Sequence, residues 1–345
     1  MTTQRDPLAG KIPVTLITGF LGSGKTTLIS KLVRHPSMNR VAVVINEIGE
    51  IGIDHDLVTM SSENITLLAN GCICCSVRTD LQETLRDLFA QRRTGQIADF
   101  DRVIVETTGL ADPAPVVQTL VSDTLLAAHY RLDGLVTLVD ALHGADQIRD
   151  QPEPIKQIAL ADRVLITKSD LSSASAIDTL TDCVLAINPG AGVRLLLNGE
   201  LAPEALINLG LATARAGVAT LSFLGESLDR TGTSGGRYLG VRAPLHDPAI
   251  KTLSLRFDKP FTWASLSAAL ELLTTLRGPD LLRVKGIVNI EGTPVVVQGV
   301  QHIFHPPVTL DRWPSDDTGS RLVFITRNIE ASVIRNLLDA VGAMA

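Results

Sequence analysis

Between residues 11 and 34 the chain reads as a β-rich apolar run, a glycine-rich loop and a helical pattern, and this order constrains the fold more than any other feature. The loop is Gly19-Phe-Leu-Gly-Ser-Gly-Lys-Thr26, continued by Thr27. Gly19, Gly22 and Gly24 let the backbone wrap closely, so that its N–H groups, with that of Ser23, point at phosphate oxygens. Lys25 supplies a charge for the β- and γ-phosphates, and Thr26 offers a hydroxyl to Mg²⁺. A strand before the loop and a helix after it are the context this chemistry requires. The segment therefore predicts a nucleoside triphosphate and Mg²⁺ as ligands.

The rest of the first 224 residues extends the same architecture. Apolar runs at 14–18, 41–46, 103–106, 135–140 and 164–167 predict strands. Helical patterns alternate with them, as at 26–34 and 80–91, and Pro113 opens another. Strands alternating with helices imply a mostly parallel sheet covered on both faces. Residues 225–249 are rich in Gly, Pro, Ser and Thr and read as a linker. Beyond it the order changes to a strand at 252–257, a helix at 263–275, a hairpin of 283–290 and 294–301 around Glu291-Gly292-Thr293, a strand at 322–326 and a closing helix at 331–338. The expected fold class is thus α/β, a P-loop NTPase domain over 11–224, followed by a small C-terminal α+β domain over 250–345.

Two further segments bear on the nucleotide. Val103-Ile-Val-Glu106-Thr-Thr-Gly109 is an apolar strand ending in a carboxylate. Glu106 would hold Mg²⁺ or its water shell, and the Gly109 N–H would sense the γ-phosphate. Thr167-Lys168-Ser169-Asp170 is similar to the guanine-reading Asn-Lys-x-Asp pattern. Asp170 would accept the N1–H and N2 amino protons of guanine, a pairing that adenine does not offer, and Lys168 would pack along the base. Thr167 stands in place of the usual Asn, which leaves open one hydrogen bond to the base edge or to the loop.

Gly71-Cys72-Ile-Cys74-Cys75 places three of the four cysteines within four residues. Such a cluster can chelate Zn²⁺, Cu⁺ or Co²⁺, and adjacent Cys74 and Cys75 would need a turn to share one ion. The other reading is three small buried residues in a tight turn. Cys183 lies far off in a helical pattern, so three thiolates form an incomplete, accessible site, suited to transfer more than to permanent holding. Glu47 and Glu50, in Asn46-Glu-Ile-Gly-Glu50, are candidate further ligands if their loop folds over the cysteines. His302 and His305 could be ligands or client contacts, but isolated histidines near a strand end read first as packing or surface residues.

Composition limits the partners. The formal charge is −6 and no basic stripe is present, which argues against nucleic acid. No signal peptide and no run of membrane-spanning length is visible, so a cytoplasmic protein is expected, with its cysteines in a reducing compartment.

Together these segments resemble the CobW-type (cobalamin-synthesis-protein-like) metallochaperone P-loop GTPases, related to the urease and hydrogenase accessory GTPases UreG and HypB. Leu282-Arg-Val-Lys-Gly286 and Val300-Gln-His-Ile-Phe-His-Pro306 carry the likeness into the C-terminal domain. The resemblance implies a GTP hydrolase that binds Zn²⁺ or a similar ion at Cys72, Cys74 and Cys75 and hands it to a client metalloprotein. It implies slow hydrolysis, coupled to handover as GTP orders the segments 47–50 and 72–75. A cobalt-inserting activator is the alternative within the family. An ATP-dependent small-molecule kinase and a nucleotide-gated scaffold are the alternatives outside it. The chain departs from many relatives in lacking a His-rich run near the linker, where only His246 stands. Either a monomer or a metal- or nucleotide-dependent dimer is compatible with three ligands.

Overall fold

The computed structural model describes residues 10–45, 58–61, 65–68, 73–76, 81–197, 200–206, 209 and 249–342. The expected linker falls outside these, apart from residue 249. The first sheet contains β1 (Ile12–Gly19), β2 (Val41–Ile45), β3 (Val58–Ser61), β4 (Ile65–Leu68), β5 (Ile73–Ser76), β6 (Arg102–Glu106), β7 (Tyr130–Asp140), β8 (Arg163–Thr167) and β9 (Gly192–Leu195). Its order is β3-β4-β5-β2-β6-β1-β7-β8-β9. From β5 to β9 every neighbouring pair is parallel, while β3 and β4 close one edge antiparallel.

Period-2 alternation explains how continuous apolar runs serve both faces. Val14 and Leu16, Ala42 and Val44, Val103 and Val105, and Val164 and Ile166 join one core. Their in-between neighbours Ile17, Val43, Ile104 and Leu165 join the other. Helix α1 (Lys25–Leu32) supplies Leu28, Ile29 and Leu32 to the second core. The first is covered by α2 (Leu81–Thr94), α3 (Ala114–Ser122), α4 (Thr124–His129), α5 (Gly144–Asp150), α6 (Pro152–Leu160) and α7 (Ala174–Ile187).

The second sheet is antiparallel. It contains β10 (Ile250–Phe257), β11 (Leu281–Ile290), β12 (Thr293–Val300), β13 (Ile303–Phe304), β14 (Val308–Thr309) and β15 (Ser320–Arg327), in the order β10-β15-β11-β12-β13 with β14 on β12. The β11–β12 turn has two residues, Glu291 and Gly292, with φ of 50° and 91°, the paired left-handed conformation that matches strand twist in a tight hairpin. Helices α8 (Trp263–Arg277) and α9 (Ala331–Gly342) cover one face through Leu266, Leu270, Leu273, Ile334 and Leu338.

The other face rests on the first domain. Ile250, Leu282, Val300 and Ile325 join the core of α6 and α7, which is why all ten residues of β11 are buried. Arg283 and Lys285 alternate with Val284, which faces α8 and α9, so both cations point at the first domain. They meet Asp162, just before β8: Arg283 pairs with its carboxylate and Lys285 Nζ lies 2.8 Å from Oδ1. Leu135 N–H donates to Asp162 Oδ2 at 2.9 Å. Burial alone would push Asp162 up, but the two cations and these hydrogen bonds hold its carboxyl at about 2. Burial draws Lys285 below the ordinary lysine range, with Asp162 opposing.

Candidate nucleotide and metal site

Strand β1 is the switch point of the parallel sheet. Strands β6 and β2 lie on one side of it and β7 and β8 on the other, and ligands of open α/β sheets bind at the carboxyl ends of strands at such a point. The carboxyl ends here carry Gly19, Glu106, Asp140 and Thr167.

Gly19 (φ 144°), Gly22 (φ 73°) and Gly24 (φ 93°) all have the positive φ that side chains resist, so the loop turns back on itself. A Cβ on Gly19 would also lie 2.5 Å from the Leu138 carbonyl oxygen and 2.7 Å from Ser23 Oγ. Gly24 is the N-cap of α1, with no side chain capping its first turn and no acidic residue within it. Those backbone donors and the helix dipole therefore face the loop, the ordinary arrangement for an anion. Lys25 is 5% exposed, and its Nζ donates to Gly19 O at 2.9 Å and Phe20 O at 3.4 Å, which places the ammonium inside the loop.

Thr26 Oγ1 donates to Glu106 Oε1 at 2.9 Å, and Glu106 is fully buried. A hydroxyl and a carboxylate thus converge at the start of α1, hard oxygen donors of the kind Mg²⁺ takes. Beyond Glu106, Thr107 Oγ1 donates to Thr18 Oγ1 at 2.8 Å, and Thr107 N–H to Ile17 O at 3.0 Å. The chain then turns at Gly109 against the phosphate loop. A Cβ there would lie 2.8 Å from Leu21 N and 2.9 Å from Leu21 Cα, so only glycine fits.

Thr167 has a partner that its sequence did not reveal. Its hydroxyl bonds to Ser23 O at 2.8 Å, and Val139 O lies at 3.3 Å. The hydroxyl ties the segment 167–170 to the glycine loop. Lys168 is left-handed (φ 55°), and its Nζ reaches Asp140 Oδ2 at 2.7 Å. Asp140 also accepts from Leu142 N–H at 2.8 Å. Its sequence signal matched that of Glu106, an apolar strand ending in a carboxylate. Asp170 lies in the short helical turn Ser169–Leu171 and is exposed, with Leu171 63% exposed beside it.

Of the metal candidates, Glu47, Glu50 and Cys72 fall outside the described residues. Cys74 and Cys75 lie within β5, so the backbone at this pair is a strand where a turn was expected. Cys75 is paired with Val44 and Val44 with Val105; in the next row Ser76, Ile45, Glu106 and Ile17 lie side by side. The cysteine strand is thus two strands from Glu106, about 10 Å at normal strand spacing. Cys183 is in α7, 5% exposed, and burial pushes its thiol up, as suits a packing residue. His302 is exposed, whereas His305 Nε2 is enclosed at the domain interface. Burial and the Arg283 charge hold His305 at about 4.

No helix among the described residues is long and apolar enough to cross a membrane.

Comparison with known proteins agrees with this layout. Residues 13–194 match the family described as CobW/HypB/UreG, nucleotide-binding domain. Residues 250–342 match the cobalamin synthesis protein cobW C-terminal domain. The chain is similar to the zinc chaperone YjiA of Escherichia coli, with 35% identity over 94% of this chain and 96% of that protein. It is also similar to the zinc chaperone CobW of Pseudomonas aeruginosa, with 31% identity over 95% of this chain and 91% of that one. The crystal structure of Zn(II)-bound YjiA GTPase from E. coli superposes with a TM-score of 0.76 at 30% identity, covering 96% of this chain and 99% of that one.

Proposed function

The chain belongs to the CobW/HypB/UreG family of P-loop GTPases, and from that premise we propose that it is a GTP-hydrolysing metallochaperone, which carries Zn²⁺ at the cysteine segment 72–75, with Glu47 and Glu50, to a client metalloprotein; the strand at Cys74 and Cys75 leaves the ion to one of that adjacent pair. The observation that carries the reading is the register of the sheet. Cys74 and Cys75 lie on β5, two strands from β6 and Glu106, with β2 between them leading directly to the segment of Glu47 and Glu50.

GTP enters with its phosphates over Gly19–Gly24 and its guanine against Asp170. The exposed carboxylate of Asp170 accepts two base protons that adenine lacks. Lys25 and the first-turn N–H groups of α1 neutralise the phosphates. Thr26 and Glu106 would hold Mg²⁺, which would offset the charge of the phosphate oxygens when bound. Gly109, pressed on Leu21 of the phosphate loop, presents its N–H to the γ-phosphate. Backbone donors and one lysine stabilise charge that develops on the phosphate oxygens, so catalysis rests on positioning and electrostatics. Loss of the γ-phosphate removes the partner of the Gly109 N–H, and the neighbouring loops relax about the cargo ion.

Zn²⁺ suits thiolates combined with carboxylates, and Co²⁺ fits the same donor set less tightly. The relatives named as zinc chaperones support Zn²⁺ as the cargo. The test is Zn²⁺ affinity by competition with a chromophoric chelator, in GDP and in a non-hydrolysable GTP analogue. The expected result is a difference of about tenfold or more, the usual scale of coupling between sites, abolished in Cys74→Ala. Equal affinities in the two nucleotides overturn the coupling, and an unaffected Cys74→Ala overturns the site.

A further inference from the structure

We propose that Gln157 on α6 is the positioning residue that holds the Gly109–Asp112 turn in its γ-phosphate-sensing place and ties it to the second domain. The inference rests on the reading of Gly109 as the γ-phosphate contact. Gln157 is 1% exposed. Its side-chain amide donates to Gly109 O and to Ala111 O, both at 3.1 Å. One side chain thus staples both ends of a turn that Ala111 N–H closes onto Thr108 O at 3.1 Å.

The orientation of the amide follows from its surroundings. Reversed, it would set its oxygen against two carbonyl oxygens. As placed, Oε1 is enclosed and has no hydrogen-bond partner among the described residues. A buried amide with a dry acceptor is a costly occupant for a helix face that an aliphatic side chain could fill. What it adds over an aliphatic residue is the pair of bonds to the turn.

The helix that carries Gln157 is itself anchored on two sides. Thr137 Oγ1, on β7 beside the phosphate-loop strand, donates to Gln157 O at 2.8 Å. The preceding residue, Lys156, pairs with Asp112 at the far end of the same turn. Asp112 Oδ1 in turn accepts from Ala114 N–H at 3.0 Å, starting α3. On its other side α6 packs on the second domain, where Ile155 shares a core with Leu282 and Ile250. A cavity of about 250 Å³ between the turn and the second domain is lined by Leu110, Ala111, Asp112, Leu282 and Arg327. Adjacent residues of one short helix therefore hold the turn that borders the γ-phosphate, and the same helix bears the C-terminal domain.

The test is amide hydrogen exchange of the peptide covering residues 106–113 in the full chain, with Mg²⁺ and either GDP or a non-hydrolysable GTP analogue. Wild type is expected to gain protection in the analogue. In Gln157→Met, which keeps length and loses both donors, that gain falls about tenfold or more, the worth of two neutral hydrogen bonds. Analogue affinity falls by a similar factor while GDP affinity stays within about twofold, the split expected for a γ-phosphate-specific effect. Gln157→Glu is the second variant. Ionised, it turns donors into acceptors and abolishes the gain; in acid, its protonated carboxyl donates again and part of the gain returns. Wild type with no difference between nucleotides overturns the Gly109 reading and the proposal with it. A wild-type difference retained in both variants overturns the role of Gln157 alone. Parallel losses of GDP and analogue affinity would make Gln157 a packing residue and also overturn it.

Discussion

Replacing Asp162 with alanine removes the carboxylate that two buried cations share at the domain interface. The side chains of Asp162, Arg283 and Lys285 are 4%, 3% and 7% exposed, so water cannot replace the lost partner. Removing one member of a buried ion pair leaves uncompensated charge and costs about 3–5 kcal/mol. Proton linkage gives an independent lower figure. A carboxyl held at about 2 in place of 3.8 contributes on the order of 2–3 kcal/mol at neutral pH. Because the folded value is depressed, that stability is fully present above pH 3.8 and is lost as pH falls through about 2. The assay is urea unfolding of the full chain. Both tryptophans, Trp263 and Trp313, lie in the second domain, so their fluorescence reports its transition. Asp162→Ala is expected to move that transition to lower urea by the stated free energy and to remove the corresponding acid limb. Changing Asp162, Arg283 and Lys285 together to Leu and Met should recover most of the loss, since no charge remains buried. A loss under about 1 kcal/mol in Asp162→Ala would refute the argument that this ion cluster holds the domains together.

Three other expectations follow from the site. Thr167→Val, which removes the bond to Ser23 O, should weaken GTP and GDP together by about tenfold, while Thr167→Asn stays close to wild type; titration calorimetry reads both, and unchanged affinities would mean the hydroxyl bond is idle. Glu106→Gln should slow GTP hydrolysis by about 10²-fold or more, the scale of losing one preorganised electrostatic group, and raise the Mg²⁺ needed for half-maximal rate; an unchanged Mg²⁺ dependence would remove Glu106 from the cation site. His305, held at about 4 against 6.5, contributes stability that is present above pH 6.5 and lost as pH falls through about 4, so His305→Leu should flatten the unfolding free energy over that window. A window unaltered in this variant would show that another group governs it.

The features legible in the sequence are those written locally. The phosphate loop, the carboxylate-ended strands and the β11–β12 hairpin each depend on residues within a few positions of one another. The buried strands were readable because a run such as Val41–Ile45 must be apolar on both faces when helices cover both. The short strands β3, β4 and β9 carry too few residues for their period to stand out. At Cys74 and Cys75 the chelation argument asked for a turn, whereas pairing to β2 and β4 makes the pair a strand. Long-range polar contacts left no local mark. Thr167 meets Ser23 across 144 positions, and Asp162 meets Arg283 across 121. Gln157 looked like any polar residue of an amphipathic helix until the fold set it beneath Gly109.

The ion cluster and the nucleotide site lie at opposite ends of the same strands. Asp162 stands just before β8 and Arg102 opens β6, where it pairs with Asp133 at 2.5 Å. Thr167 and Glu106 close those strands at the other end. The ion cluster therefore sits at the amino ends of the strands, and the glycine loop, Glu106 and Thr167 at their carboxyl ends. The ion cluster shares no residue with the cysteine-bearing strand β5. With the ion carried as proposed, a chimera that takes another family member's cysteine-bearing segment should keep the Asp162 ion cluster of this chain while acquiring the other's ion, a transplant of cargo choice.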